Sequence, residues 1–194
     1  MTTNTFLAAA AATLTMAMVL TGPVRAQEAP APLPFEVIVP DYTQDPAAAR
    51  EVAAHRNAWR EMFERQDVDG MMSFYVTDIY TYDLMAAPEP DGLKMAFDGA
   101  AIWRQNWVTF FEMFEDDLKV TIEDLTVYQS GDIATVRGLT RLQGTMTSGQ
   151  HIDMWTLETN VLRRVNGTWL IVHDHVSVPI DFASGQALMT LSPQ

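Results

Sequence analysis

From Leu118 to Val178 the chain is an almost unbroken series of β-type runs. Residues 118–130, 133–145, 150–165 and 168–178 are rich in Val, Ile, Thr, Leu and aromatic side chains. Short glycine-bearing breaks, "SGD", "TSG" and "VNG", separate them. Breaks of this length leave room only for hairpins, so neighbouring runs must pair antiparallel. A four-stranded meander is therefore the frame of the molecule, and the preceding residues have to cover one of its faces.

Those preceding residues read as helices around one further strand. Asp45-Pro46 opens a helix, with Asp as the cap and Pro in the first turn. It runs to about Gln66 and places Val52, His55, Trp59 and Met62 on one face. "DVDGMMSFY" predicts a short second helix capped by Asp67, and "VTDIYTYD" alternates as a strand ending near Asp83. "LMAAPEPDGLKMAF" reads as a loop broken by Pro88, Pro90 and Gly92. Asp98-Gly99 then opens a third, aromatic helix, "AAIWRQNWVTFFEMF". Three helices and a strand followed by the meander predict an α+β fold.

The first residues differ in kind. Phe6 to Leu20 is an apolar run without a charge, and Val24 and Ala26 meet the small-residue rule for cleavage before Gln27. The run is shorter than the roughly 20 residues that span a bilayer. Residues 1–26 thus read as a signal peptide, although no Lys or Arg precedes the apolar run, and the mature protein is expected to be periplasmic or secreted. Residues 27–45, with Pro30, Pro32, Pro34 and Pro40, read as a linker or a wrapping arm in which "FEVIV" can lie on a surface. The folded domain is expected over 46–190. It contains no cysteine, so packing alone must hold it. A net charge of −13 argues against a nucleic-acid partner and against docking on anionic lipid after cleavage. Neither a Gly-rich phosphate loop nor a nucleophile elbow is present, so nothing supports nucleotide-driven chemistry.

Four blocks in order, "QDVDGMMSFYVTDIYTYD", "FDGAAIWRQNW", "SGDIATVRG" and "RRVNGTWLIVHDHVSVP", resemble the nuclear-transport-factor-2-like superfamily. They look most like its SnoaL-like and ketosteroid-isomerase-like branches. The resemblance covers about residues 46–190 and implies a cone, in which a curved antiparallel sheet wraps three N-terminal helices around a central pocket. The isomerase branch removes a proton beside a ketone with an Asp, and holds the enolate with a Tyr and a protonated Asp. The matching base position here is Asp83. The matching Tyr position is Trp59, and the acidic partner should fall near Thr159 to Val161, where no carboxylate occurs. A standard steroid isomerase is therefore not expected. The last block is also similar to the association domain of calcium/calmodulin-dependent kinase II, an assembly hub, so "HDHVS" does not by itself mean catalysis.

The candidate catalytic residues are Asp83, His173 and His175. On a regular last strand Trp169, Ile171, His173, His175 and Ser177 share one face, with Leu170, Val172, Asp174 and Val176 on the other. The imidazoles could polarise a carbonyl or relay a proton. Alternatively, Ser177, Asp153 or backbone could satisfy them, or with His151 or Asp153 they could hold zinc. Asp83 could equally be a turn former. Trp59, Tyr75, Tyr82, Trp103, Trp107, Arg137, Trp155 and His55 are the candidate ligand contacts, with Arg137 or Arg141 an anchor for a carboxylate if either points inward. The expected function is binding of a hydrophobic molecule with a carbonyl or hydroxyl group. A cofactor-independent isomerase or lyase, with no resident metal, would act on that molecule, whereas a non-catalytic binding or oligomerisation module would only hold it. The largely apolar outer face of the sheet hints at a homodimer.

Overall fold

A computed structural model of the chain describes residues 32–89 and 92–193. The expected signal peptide, residues 1–26, lies outside the described residues. The folded unit begins at Leu33. Its elements are β1 (Val37–Ile38), α1 (Pro46–Glu64), α2 (Val68–Met72), β2 (Tyr75–Tyr82), β3 (Ala87–Glu89), β4 (Gly92–Lys94), β5 (Phe97–Asp98), α3 (Ala100–Phe111), β6 (Lys119–Ser130), β7 (Ile133–Thr145), β8 (His151–Val165) and β9 (Thr168–Ser177).

The meander forms as its turns dictate. β6, β7, β8 and β9 pair antiparallel in sequence order within a curved, unclosed seven-stranded sheet, β1-β6-β7-β8-β9-β2-β5. Asn166 and Gly167, at φ 50° and 84°, make the tight β8–β9 turn in the left-handed region that Asn and Gly tolerate. Two contacts depart from the expected all-antiparallel pattern. β2 lies parallel to β9, and β1 lies parallel to β6. Both strands arrive after intervening chain rather than through a hairpin, which frees their direction. The segment read as a loop also contains more order than expected. β3 and β4 form a small ladder of their own, and β5 pairs with the edge of β2.

α1 starts where its cap stands. The Asp45 carboxylate accepts hydrogen bonds from the Ala47 and Ala48 amides at 2.9 and 3.2 Å, satisfying donors that the first turn cannot pair internally. Its inward stripe, Val52, Arg56, Trp59 and Phe63, is buried. α3 contributes buried Trp103, Trp107 and Phe111. Phe63, Trp107, Phe110 and Phe111 pack ring against ring with centroids 5.3–6.0 Å apart, the separation at which edge-to-face and offset contacts are favourable. On the sheet, Val120, Ile122, Leu125, Val127, Ala134, Val136 and Leu162 face the same core. Leu33, Phe35, Val37 and Val39 of the N-terminal segment lie against it. No described helix is long and apolar enough to cross a membrane.

Irregularities in the ladder decide which side chains face the helices. The β8–β9 register steps from Leu162↔Ile171 to Val161↔His173, so Val172 is an extra residue on β9. Beyond such a bulge the alternation of faces inverts. Asp174 and Val176 therefore join Trp169 and Ile171 on the inward side, and His173 and His175 turn outward. A regular strand would have done the reverse.

Candidate active site

Between the helices and the inward face of the sheet lies a cavity of about 460 Å³, within the usual range for small-molecule sites. Its wall is predominantly apolar, with Trp59, Phe63, Trp107, Phe110, Met113 and Met154 among the lining residues. Of its six ionisable lining residues, His151 and Asp153 are exposed, and four, Arg56, Asp83, Glu158 and Asp174, stand within the apolar wall.

Each arrives there by the periodicity of its element. Arg56 sits four residues after Val52 on the buried stripe of α1. Ile79, Thr81 and Asp83 alternate inward along β2 and just past its end, leaving Tyr80 and Tyr82 outside. Thr156, Glu158 and Asn160 alternate inward on β8, and Asp174 does so on β9 because of the bulge.

The group is tightly connected. Arg56 and Glu158 form an ion pair with side chains only 6% and 11% exposed, and the guanidinium lies over the Trp59 ring at 4.3 Å. Asp174 accepts from Asn160 Nδ2 at 2.6 Å on one oxygen and from the Tyr75 hydroxyl at 3.3 Å on the other. The Trp59 indole N–H donates to that hydroxyl at 2.9 Å. Thus Trp59, which cannot itself be the phenolic donor on the first helix, holds a phenol supplied from β2. Burial drives the Asp174 carboxyl up to about 7, with the nearby Glu158 charge adding to the shift and Arg56 opposing it. Burial likewise raises Asp83, against hydrogen bonds from the Leu84 and Met85 amides and from Asn106 Nδ2 at 3.3 Å. Tyr75 is driven well above the usual phenol range by burial and by Asp174.

The sequence-derived candidates divide. Asp83, Trp59 and Trp107 line the cavity, and Tyr75 stands behind Asp174. Trp103 is packed in the core, 1% exposed. His55 lies outside the cavity lining, edge-on to Phe74; burial first and Arg56 second lower it to about 4, so it is neutral. His173 and His175 flank the exposed Tyr82 ring at 5.3 and 5.5 Å. The His173 Nδ1–H donates to the Tyr80 carbonyl at 2.6 Å. His175 shares with Asp83 and Tyr82 a second, more open depression. Arg137 faces solvent beside Asp124 and Tyr128. Trp155 is on the same outer face, near Arg141, which pairs with Asp153 at 2.8 and 2.7 Å. Both arginines occupy odd positions of β7, whereas Thr140 and Leu142 line the cavity. Among the described residues no three His, Asp or Glu side chains gather as a metal-binding group.

Three cavity residues were not singled out from the sequence. An arginine on an apolar helical stripe was a readable signal for Arg56. Glu158 sits one residue before Thr159 to Val161, where the resemblance placed the acidic partner. Asp174 carried no signal, because nothing in "IVHDH" announces an extra residue.

A SnoaL-like domain family model matches residues 52–181. A comparison with curated proteins finds no match. Among solved structures, an NTF2-like protein of unknown function from Pseudomonas putida KT2440 superposes with a TM-score of 0.68 at 25% identity, over 77% of this chain and 99% of that one. A ketosteroid isomerase-like protein from Erwinia carotovora atroseptica SCRI1043 gives 0.57 at 21% identity, over 69% and 97% of the two chains.

Proposed function

The chain belongs to the SnoaL-like domain family, and on that premise we propose that its cavity binds a hydrophobic molecule bearing a carbonyl or hydroxyl group and moves a proton on it. One observation carries this reading. Two carboxyl groups with raised pKa values, Asp83 and Asp174, line a single apolar cavity. Burial that raises a carboxylate toward neutrality makes it a stronger base when ionised and a usable hydrogen-bond donor when protonated.

The roles follow from position. Asp83 takes a proton from carbon beside the substrate carbonyl, and the electron pair left behind moves onto the carbonyl oxygen. Asp174, protonated and fixed by Tyr75 and Asn160, donates to that oxygen as its charge develops. With a β,γ-unsaturated ketone, Asp83 returns the proton to the γ carbon as the dienolate re-forms the carbonyl, an isomerisation. With a β-hydroxy ketone, the enolate collapses to an enone and the β-hydroxyl leaves as water with the proton from Asp83, a lyase reaction. Both courses use side chains of the protein alone. The outward-facing imidazoles take no part.

The test is deuterium exchange. Incubated in heavy water with a panel of aryl ketones and β-hydroxy ketones, the protein should introduce deuterium beside the carbonyl of its substrates. Asp83→Asn should abolish exchange while retaining the fold and ligand affinity. Exchange by Asp83→Asn at the wild-type rate would refute the assignment of the base. Binding without exchange in the wild type would leave a carrier.

The reading extends to export and self-association. The apolar stretch Phe6–Leu20 supports export, checked by whether the periplasmic protein begins at Gln27. Exposed Ile133, Leu157, Tyr80 and Tyr82 on the outer side support a homodimer, checked by light scattering.

A further inference from the structure

We propose that Glu158 sets the charge of what the cavity accepts: by occupying Arg56 it reserves the cavity for uncharged, oxygen-bearing hydrophobic molecules and closes it to carboxylates. The inference rests on the small-molecule reading above and narrows the ligand class.

Among the described residues, Arg56 is the one arginine or lysine in the lining. Stacked on Trp59 and almost fully buried, it is permanently charged and poorly hydrated. Left alone, such a guanidinium is a ready anchor for a carboxylate ligand. Glu158 already fills that role. It is tethered opposite Arg56 on β8, so a free carboxylate competes against a partner held at high local concentration. Winning that competition would leave Glu158 buried and unpaired next to Asp174, an expensive arrangement.

Of the other ionisable groups in the lining, His151 and Asp153 are exposed, and Asp153 pairs with Arg141. The two inner carboxyls already hold protein partners. Asp174 is engaged by Tyr75 and Asn160, and Asp83 by Leu84, Met85 and Asn106. The lining residues that do retain a buried polar atom without a partner are Trp107, through Nε1, and Thr140, through its hydroxyl. These are neutral groups, suited to the oxygen of a carbonyl or an alcohol. Met85, Met113, Met146, Met154 and Met189 supply adaptable apolar wall around them.

The experiment uses three probes of one skeleton, 2-acetylnaphthalene, 2-naphthoate and 2-naphthylmethylamine, titrated calorimetrically into the full protein at pH 6, where Asp174 keeps its proton. The ketone should bind wild type at least about tenfold more tightly than the carboxylate or the amine. Glu158→Gln, which frees the guanidinium without changing side-chain size, should raise naphthoate affinity at least about tenfold and leave the ketone within about threefold. If Glu158→Gln does not fold, Glu158→Asp, whose shorter arm loosens the pair, should move the ratio in the same direction. The double variant Arg56→Leu/Glu158→Leu should keep the ketone and gain nothing for naphthoate. Equal binding of ketone and carboxylate by wild type, a preference for the amine, or no gain for naphthoate when Glu158 is altered would overturn the inference while leaving the small-molecule reading intact. Failure of all three probes to bind wild type would remove both.

Discussion

Replacing Asp174 by Asn should change how stability depends on pH, and the structure gives the size of the effect. The carboxyl is buried and titrates near 7 rather than at 3.8. Because the folded state holds this proton more tightly than the unfolded chain, stability falls as pH rises between those two values and levels off above them. At 1.36 kcal/mol per pH unit, the whole penalty is roughly 4 kcal/mol. Part of it has already developed at pH 5, which leaves about 2.5 kcal/mol between pH 5 and pH 8. Asn has no charge to bury. Its oxygen can still accept from Asn160, and its amide can donate to the Tyr75 hydroxyl. His55, neutral down to about 4, lowers stability as pH drops from 6.5 toward that value in both proteins and so cancels in the comparison. Urea unfolding followed by tryptophan fluorescence at pH 5 and 8 provides the measurement. The stability of Asp174→Asn relative to wild type should rise by about 2–3 kcal/mol over that interval. Curves that stay parallel within about 0.5 kcal/mol would refute the argument that burial governs this group.

Other outcomes follow from the same geometry. His173→Asn and His175→Asn should each leave 2-acetylnaphthalene affinity within about twofold by calorimetry, since these rings lie outside the cavity. Asp45→Ala should cost about 1 kcal/mol in urea unfolding, because two amides of the first turn of α1 lose their acceptor. Removing the chain after Pro179 should accelerate ligand release in stopped-flow measurements. That segment contributes Met189 and Thr190 to the cavity wall and is fastened to β8 by a 2.7 Å bond from the Trp155 amide to the Met189 carbonyl.

Much of the architecture was readable because turns are local. The strand limits of the meander agree with the glycine breaks to within a residue or so, and the Asp45, Asp67 and Gly99 starts of the helices were visible as caps. Asp83 could be placed by alternation from Ile79 and Thr81. Arg137 and Trp155 were harder, since a strand polar on one face and apolar on the other does not say which charged residue belongs inside. The chemistry of the cavity was less legible still. Arg56 and Glu158 lie far apart in sequence, and only the packing of α1 against the sheet brings them together. Asp174 and the histidines are separated by parity alone.

Val172 gives that parity a practical meaning. An alignment that superimposes the imidazoles of a straight-stranded homologue on His173 and His175 would match identical letters and opposite surfaces. Transferring a role between such proteins calls for counting hydrogen-bonded partners along β8 instead of columns of text. A gap of one position, seemingly trivial, separates a carboxyl-floored hollow from an imidazole-floored one.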